Sequence, residues 1–223
     1  MSSLRAVIVM DYQNVHLTGH ELFGKSKGIP PHEVLIDPLH FANQLIRARN
    51  LAQRPGMDHA SLSRVLVYRG QPSVEHDPKP YSRSQAQKAQ WERDTRVTVT
   101  LRPLKYKYVY DNDGHALRDA NGKRFVTGKQ EKGIDVLCAL AVVREARSTD
   151  IDLVILASQD SDLEPSLDEA YSLASAKIET FCWFDRANPR LARQLRLSTR
   201  KPLWNRRLGE TEMLNCIDRT NYI

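Results

Sequence analysis

The sequence predicts an α/β fold: a mostly parallel sheet with helices on both faces, carrying a β-hairpin insertion. Three observations predict it. Apolar runs of strand length alternate with helix-length segments along most of the 223 residues, the pattern of βαβ units. Two of these runs, Ala6–Met10 and Leu153–Ala157, are apolar throughout, as strands covered on both faces must be. Both run straight into aspartates, Asp11 and the pair Asp160 and Asp162. In open α/β sheets ligands bind beyond the carboxyl ends of the strands.

The elements follow in order. Residues 5–10 form the first strand, ending at Asp11-Tyr-Gln-Asn14. Residues 16–36, with Gly19, Gly24, Gly28, Pro30 and Pro31, read as a loop over the strand end. Asp37-Pro38 is an N-cap followed by an N1 proline, and Phe41, Leu45, Ile46 and Ala48 supply the apolar side of that helix. After a second loop at 51–63, residues 64–70 form a strand. Residues 72–80 are turn-rich, and 81–93 suit a helix with Ala86, Ala89 and Trp91 inward. Residues 96–102 are rich in β-branched side chains, which favours a strand.

Residues 104–128 read as a hairpin insertion, with turns at Asp111–Gly114 and Asn121-Gly122. Its structural reading is a solvated antiparallel arm. Its functional reading is contact with a polyanion, because Lys105 and Lys107 alternate with Tyr106 and Tyr108. A helix opens at Gln130–Asp135 and runs to Arg147, with Val136, Leu137, Leu140, Ala141 and Val143 as its apolar content. Strand 151–157, helix 163–174 and strand 177–184 follow. Asn188-Pro189 caps a last helix bearing Arg190, Arg193 and Arg196 at intervals of three, with Leu191 and Leu195 on another side.

Composition narrows the function. The chain reads as one domain with a core over about 5–185 and a basic C-terminal helix and tail over about 186–223. Hydrophobic residues make up 41%, enough for a core without disulfides. Cys138, Cys182 and Cys216 are odd in number and widely spaced, so neither a disulfide nor a zinc site is expected. No apolar run approaches the ~20 residues of a membrane span, and the N-terminal run is too short for a signal peptide; the expected location is cytoplasmic. Net charge is +6. Arg186 to Arg207 holds eight basic residues and no acidic one, which exceeds the needs of solubility and favours contact with a nucleic-acid backbone over a merely solvated face. Trp204 in this stretch reads as packed rather than stacking.

Four aspartates, Asp11, Asp135, Asp160 and Asp162, are the candidate metal ligands. Each alone has a structural reading: a strand-end turn, a helix-start carboxylate or an N-cap. The predicted fold brings all four to one sheet edge, and crowded carboxylates resist ionisation unless a cation relieves them. Hard oxygen ligands suit Mg²⁺ or Mn²⁺. Such a cation activates water and neutralises charge on a phosphate. His16 and His115 read as bystanders. Lys132 reads equally as a phosphate contact and as a solvated helix-start residue.

The motifs Val9-Met-Asp-Tyr-Gln-Asn14, Glu131-Lys-Gly-Ile-Asp135 and Ala157-Ser-Gln-Asp-Ser-Asp-Leu-Glu-Pro165 occur in this order. They resemble those of the NYN domain, a branch of the PIN-like nuclease superfamily, over about residues 5–185. The resemblance implies a PIN-like three-layer sandwich and a metal-dependent nuclease acting on RNA more often than DNA. Asp11, Asp135, Asp160 and Asp162 would hold one or two Mg²⁺ or Mn²⁺ ions. Asn14 would position a ligand or phosphate, and Ser158 would steady the acidic loop or touch the phosphate. Leu163 departs from the family's usual Phe, and the segments 16–36 and 104–128 are longer than its minimal pattern. PIN-like domains often pair, so a homodimer is a further expectation. The competing readings are a non-catalytic RNA-binding module and a structure-specific DNase. A haloacid-dehalogenase-like phosphatase is set aside because Gln13 stands where its second aspartate is needed.

Overall fold

The computed structural model describes residues 3–173 and 175–222. Six parallel strands form one sheet in the order β3-β2-β1-β6-β7-β8. They are β1 (Leu4–Asp11), β2 (Ala60–Gln71), β3 (Val97–Pro103), β6 (Leu153–Ala157), β7 (Lys177–Trp183) and β8 (Trp204–Leu208). A separate antiparallel pair, β4 (Lys105–Tyr108) and β5 (Val126–Gln130), forms the arm. The helices are α1 (Tyr12–Phe23), α2 (Pro38–Leu51), α3 (Pro78–Trp91), α4 (Ile134–Ala146), α5 (Glu164–Ser172) and α6 (Glu210–Asn215).

Strand β1 shows why the sheet is covered on both faces. Ala6, Ile8 and Met10 point into one core with Val15 of α1, Phe41 and Leu45 of α2, Trp91 of α3 and Met213 of α6. Val7 and Val9 point into the other, with Cys138, Ala141 and Val142 of α4 and Leu167 and Ala170 of α5. The period-two alternation of a strand thus feeds two helix layers. The chain winds outward from β1 through β2 to β3, then returns to β6 on the other side of β1 and winds out through β7 to β8. The topological switch point lies between β1 and β6, where Met10 pairs with Ala157. Among the described residues no helix is long and apolar enough to cross a membrane. All three cysteines are buried free thiols.

Several elements differ from the sequence-based expectation. The expected loop at 16–36 begins instead inside α1. Gly19 does not break that helix; it lets the helix approach the sheet, since a Cβ there would lie 3.0 Å from the Trp183 indole nitrogen. The same nitrogen donates to Val15 O at 2.8 Å. Helix α3 starts earlier than expected and turns Ser84, Gln87 and Trp91 inward, leaving Ala86 and Ala89 exposed. Val136 and Leu140 of α4 also face solvent. The cap at Asp37 is as expected, its carboxylate accepting the His40 N–H at 2.8 Å. Ala174, the expected end of α5, lies outside the described residues.

The C-terminal stretch is corrected most. After Asn188-Pro189 there is a single 3₁₀ turn, Pro189–Leu191, rather than a helix. From Arg193 the chain is extended: Leu195 and Leu197 are buried while Arg196 and Ser198 are exposed, a period of two. The Arg196 and Ser198 N–H groups donate to Glu164 and Asp168 side chains, each at 2.9 Å. Helical backbone would have bonded these donors internally. Beyond this the chain is no loose tail. Strand β8 pairs with β7, and Met213 and Cys216 enter the core. Trp204 lies on this edge strand, 48% exposed rather than packed.

Candidate functional site

The switch point places the three motifs together. Asp11 ends β1 and N-caps α1; it is 4% exposed. Its Oδ1 accepts the Asn14 N–H at 3.2 Å and its Oδ2 accepts the Ser158 hydroxyl at 3.2 Å. Ser158 Oγ in turn accepts the Asp160 N–H at 3.2 Å. Asp160 caps a 3₁₀ turn, accepting the Asp162 N–H at 3.1 Å. Asn14 Oδ1 accepts the Gln159 N–H at 2.7 Å. The two strand ends are therefore tied by side chains, and Asn14 and Ser158 act as struts of the acidic loop. Asp135 lies in the first turn of α4, exposed.

The charges in this edge act on one another. Burial pushes the Asp11 carboxyl up to about 7, with the Glu131 and Asp135 charges adding to the rise and the Asn14 and Ser158 hydrogen bonds opposing it. Asp135, though exposed, is partly withdrawn from water, which raises it as well, with the charges of Asp160 and Asp162 adding to the effect. Glu131 is raised by burial and by Asp135, against the Gly70 N–H and the Arg69 charge. Asp135 thus couples electrostatically to Asp11 on one side and to the Asp160/Asp162 loop on the other.

Glu131 was not among the sequence candidates. Its Oε1 accepts the Gly70 N–H at 2.6 Å, which turns it toward the sheet edge. The signal in the sequence was its place at the head of the Glu131–Asp135 motif. Among the described residues none of these five carboxylates has a basic group within 4.0 Å. An all-oxygen set of uncompensated carboxylates, one of them buried, fits a hard divalent cation. Among the described residues no three of these carboxylates bring ligand atoms within 4.8 Å of one another; the group that does so is Asp111, Asp113 and His115, exposed on the arm's tip.

The predicted cationic residues are placed less uniformly. Lys132 is exposed beside this edge. Arg190, Arg193 and Arg196 are exposed but share no helix face. The Arg196 bond to Glu164 still brings their segment past the start of α5, two residues from Asp162. Tyr106 and Tyr108 of the arm turn inward: Tyr106 donates to Asp77 and accepts the Ser73 N–H, and the Tyr108 hydroxyl meets His76 Nε2 at 2.9 Å. They anchor the arm to the loop before α3 rather than presenting rings for stacking. His16 is a buried core group whose Nε2 donates to Pro31 O at 2.8 Å.

No family model matches this chain, and no curated protein matches it. Among solved structures it is similar to VPA0982 of Vibrio parahaemolyticus, a protein of unknown function. The identity is 19%, covering 98% of this chain and 93% of that one, with a TM-score of 0.44.

Proposed function

We propose that this chain is a metal-dependent nuclease, an endoribonuclease of the NYN/PIN-like kind, with Asp11, Asp135, Asp160 and Asp162 holding Mg²⁺ or Mn²⁺. The observation that carries the reading is the uncompensated carboxylate group at the β1/β6 switch point, where Asp11 is buried with its pKa near 7. A cation bound there supplies an activated water and charge neutralisation at the phosphate. Glu131 joins the acidic set from the β2 side. Ser158 and Asn14 hold the loop in place, and the exposed arginines from Arg190 to Arg196 hold the polyanion's backbone. RNA is preferred to DNA on the resemblance of the three motifs.

The test incubates wild type and Asp160→Asn with labelled single-stranded RNA and DNA in Mn²⁺, Mg²⁺ or EDTA. Metal-dependent cutting of RNA that the variant loses supports the reading. RNA binding without cutting under either metal makes the chain a binding module. Equal cutting by Asp160→Asn removes the acidic edge as the active centre.

A further inference from the structure

Arg69, at the carboxyl end of β2, sits one residue beyond Tyr68, the partner of Asp11 in the β1–β2 register. Its guanidinium carbon lies 4.7 Å from the centroid of the Tyr12 ring and 5.7 Å from that of Trp91. Its Nη1 donates to Oε1 of Gln87, a side chain 4% exposed. Two rings and an amide thus hold the guanidinium plane, and among the described residues no carboxylate lies within 4.0 Å of it. A fixed, unpaired arginine is pre-organised for an anion and loses little entropy on binding one.

The free edge of Arg69 faces a cavity of about 420 Å³, within the ~300–1,000 Å³ of small-molecule sites. Its walls include Arg83, His16, Pro31 and Tyr222, and among the described residues no Asp or Glu. The nearby Asp218 is already bonded to the Trp91 indole and the Tyr222 hydroxyl. His16, donating from Nε2 to a carbonyl, keeps Nδ1 as an acceptor. The cavity therefore offers two cations and a proline and tyrosine wall.

We propose that this cavity binds one nucleoside monophosphate unit, its phosphate on Arg69 and Arg83 and its base against Tyr222. The residue after Arg69, Gly70, donates its N–H to Glu131 Oε1 at 2.6 Å, so the site adjoins the acidic edge. Its use as the subsite flanking a cleaved bond rests on the nuclease reading; nucleotide binding itself does not.

The test is calorimetric titration of the full chain in EDTA with adenosine monophosphate, adenosine, inorganic phosphate and a five-residue RNA. Adenosine monophosphate should bind about tenfold or more tightly than either of its halves, and Arg69→Gln should weaken it about tenfold, the size of one lost charge-assisted contact. Arg83→Gln, at an exposed position that leaves the fold intact, should weaken it several-fold. Tighter binding of the RNA, lost by the same factors, assigns the site to a polynucleotide; tighter binding of the mononucleotide assigns it to a free nucleotide. Failure of the mononucleotide to bind, or equal binding by both variants, overturns the proposal while leaving metal-dependent cutting untouched. Binding through Arg69 without any cutting keeps the site and removes the nuclease.

Discussion

Asn14 Oδ1 accepts the backbone N–H of Gln159 at 2.7 Å, joining the segment after β1 to the segment after β6. The two residues are 145 positions apart, yet this bond fixes how the Asp11 turn and the Asp160 turn face each other. Gln159 is buried, so its N–H would find no ready substitute. Asn14→Ala should cost about 1–3 kcal/mol, the penalty for a buried unsatisfied donor, measured by urea denaturation. A loss below about 0.5 kcal/mol would show that the strut carries no load.

Asp11 and His16 should give opposite pH dependences. The Asp11 pKa is raised in the fold to about 7 from 3.8, so its favourable contribution is complete below about 3.8 and lost as pH rises toward 7. The His16 pKa is lowered to about 4 from 6.5, chiefly by burial; its contribution is complete above about 6.5 and lost as pH falls toward 4. The two slopes largely cancel between pH 4 and 6.5. In EDTA, Asp11→Asn should stabilise the protein at neutral pH, by up to roughly 4 kcal/mol, and uncover the His16 slope. The same substitution should abolish stabilisation by Mn²⁺. Thermal melts across pH with and without metal check both, and a neutral-pH destabilisation by Asp11→Asn contradicts the electrostatic account.

A buried pair far from the acidic edge should dominate stability. Arg49 of α2 and Glu179 of β7 are 2% and 6% exposed, with Arg49 Nε and Nη2 both donating to Glu179 Oε1 at 3.0–3.1 Å. Arg206, whose Nε is buried without a partner, also feels the Glu179 charge. Glu179→Gln would leave two arginines facing each other uncompensated, and should cost about 3–5 kcal/mol. Replacing Arg49 by Met and Glu179 by Leu together should cost less than Glu179→Gln alone, which equilibrium denaturation of the three proteins decides.

The extended basic segment should act through phosphates. Reversing Arg193 and Arg196 to Glu should weaken RNA binding and lower the slope of log K against log salt by roughly one to two units. Both side chains are exposed, so melting temperature should not move. An unchanged salt slope would remove this segment from the interface.

What the sequence made legible was what one element determines alone. The strands around Val7, Val9 and Leu153–Ala157 were plain because burial on both faces forces apolar runs. The Asp37-Pro38 cap is a local signature. Asp11, Asp160 and Asp162 were correctly placed at and just beyond strand ends, because an apolar run that stops at polar residues marks the end of a strand. Features set by distant partners were hidden. Gly19 read as a breaker because its reason, the Trp183 indole, lies 164 positions away. Arginines at intervals of three suggested a helix, but Glu164 and Asp168 hold those backbone donors in extended form. Strand β8 was read as a basic tail because an edge strand can leave Trp204 and Arg207 exposed.

Glu131 belongs with these hidden features, because its position depends on Gly70 of β2. A Cβ on Gly70 would collide with Glu131 Oε1 and with Leu104 Cδ2, and the Gly70 N–H is the donor that holds that carboxylate at 2.6 Å. Gly70→Ala should therefore displace Glu131, at about 1–3 kcal/mol of overpacking cost, and weaken the Mn²⁺-induced rise in melting temperature. Glu131→Gln separates the two effects: it keeps an oxygen to accept the Gly70 N–H while removing one charge from the acidic edge. It should leave metal-free stability unchanged or higher, because the carboxylate is held there against burial and the Asp135 charge, yet still weaken the metal response. If Glu131→Gln melts with the full wild-type shift in Mn²⁺, Glu131 takes no part in holding the cation, and the effect of Gly70→Ala must come from packing against Leu104 alone.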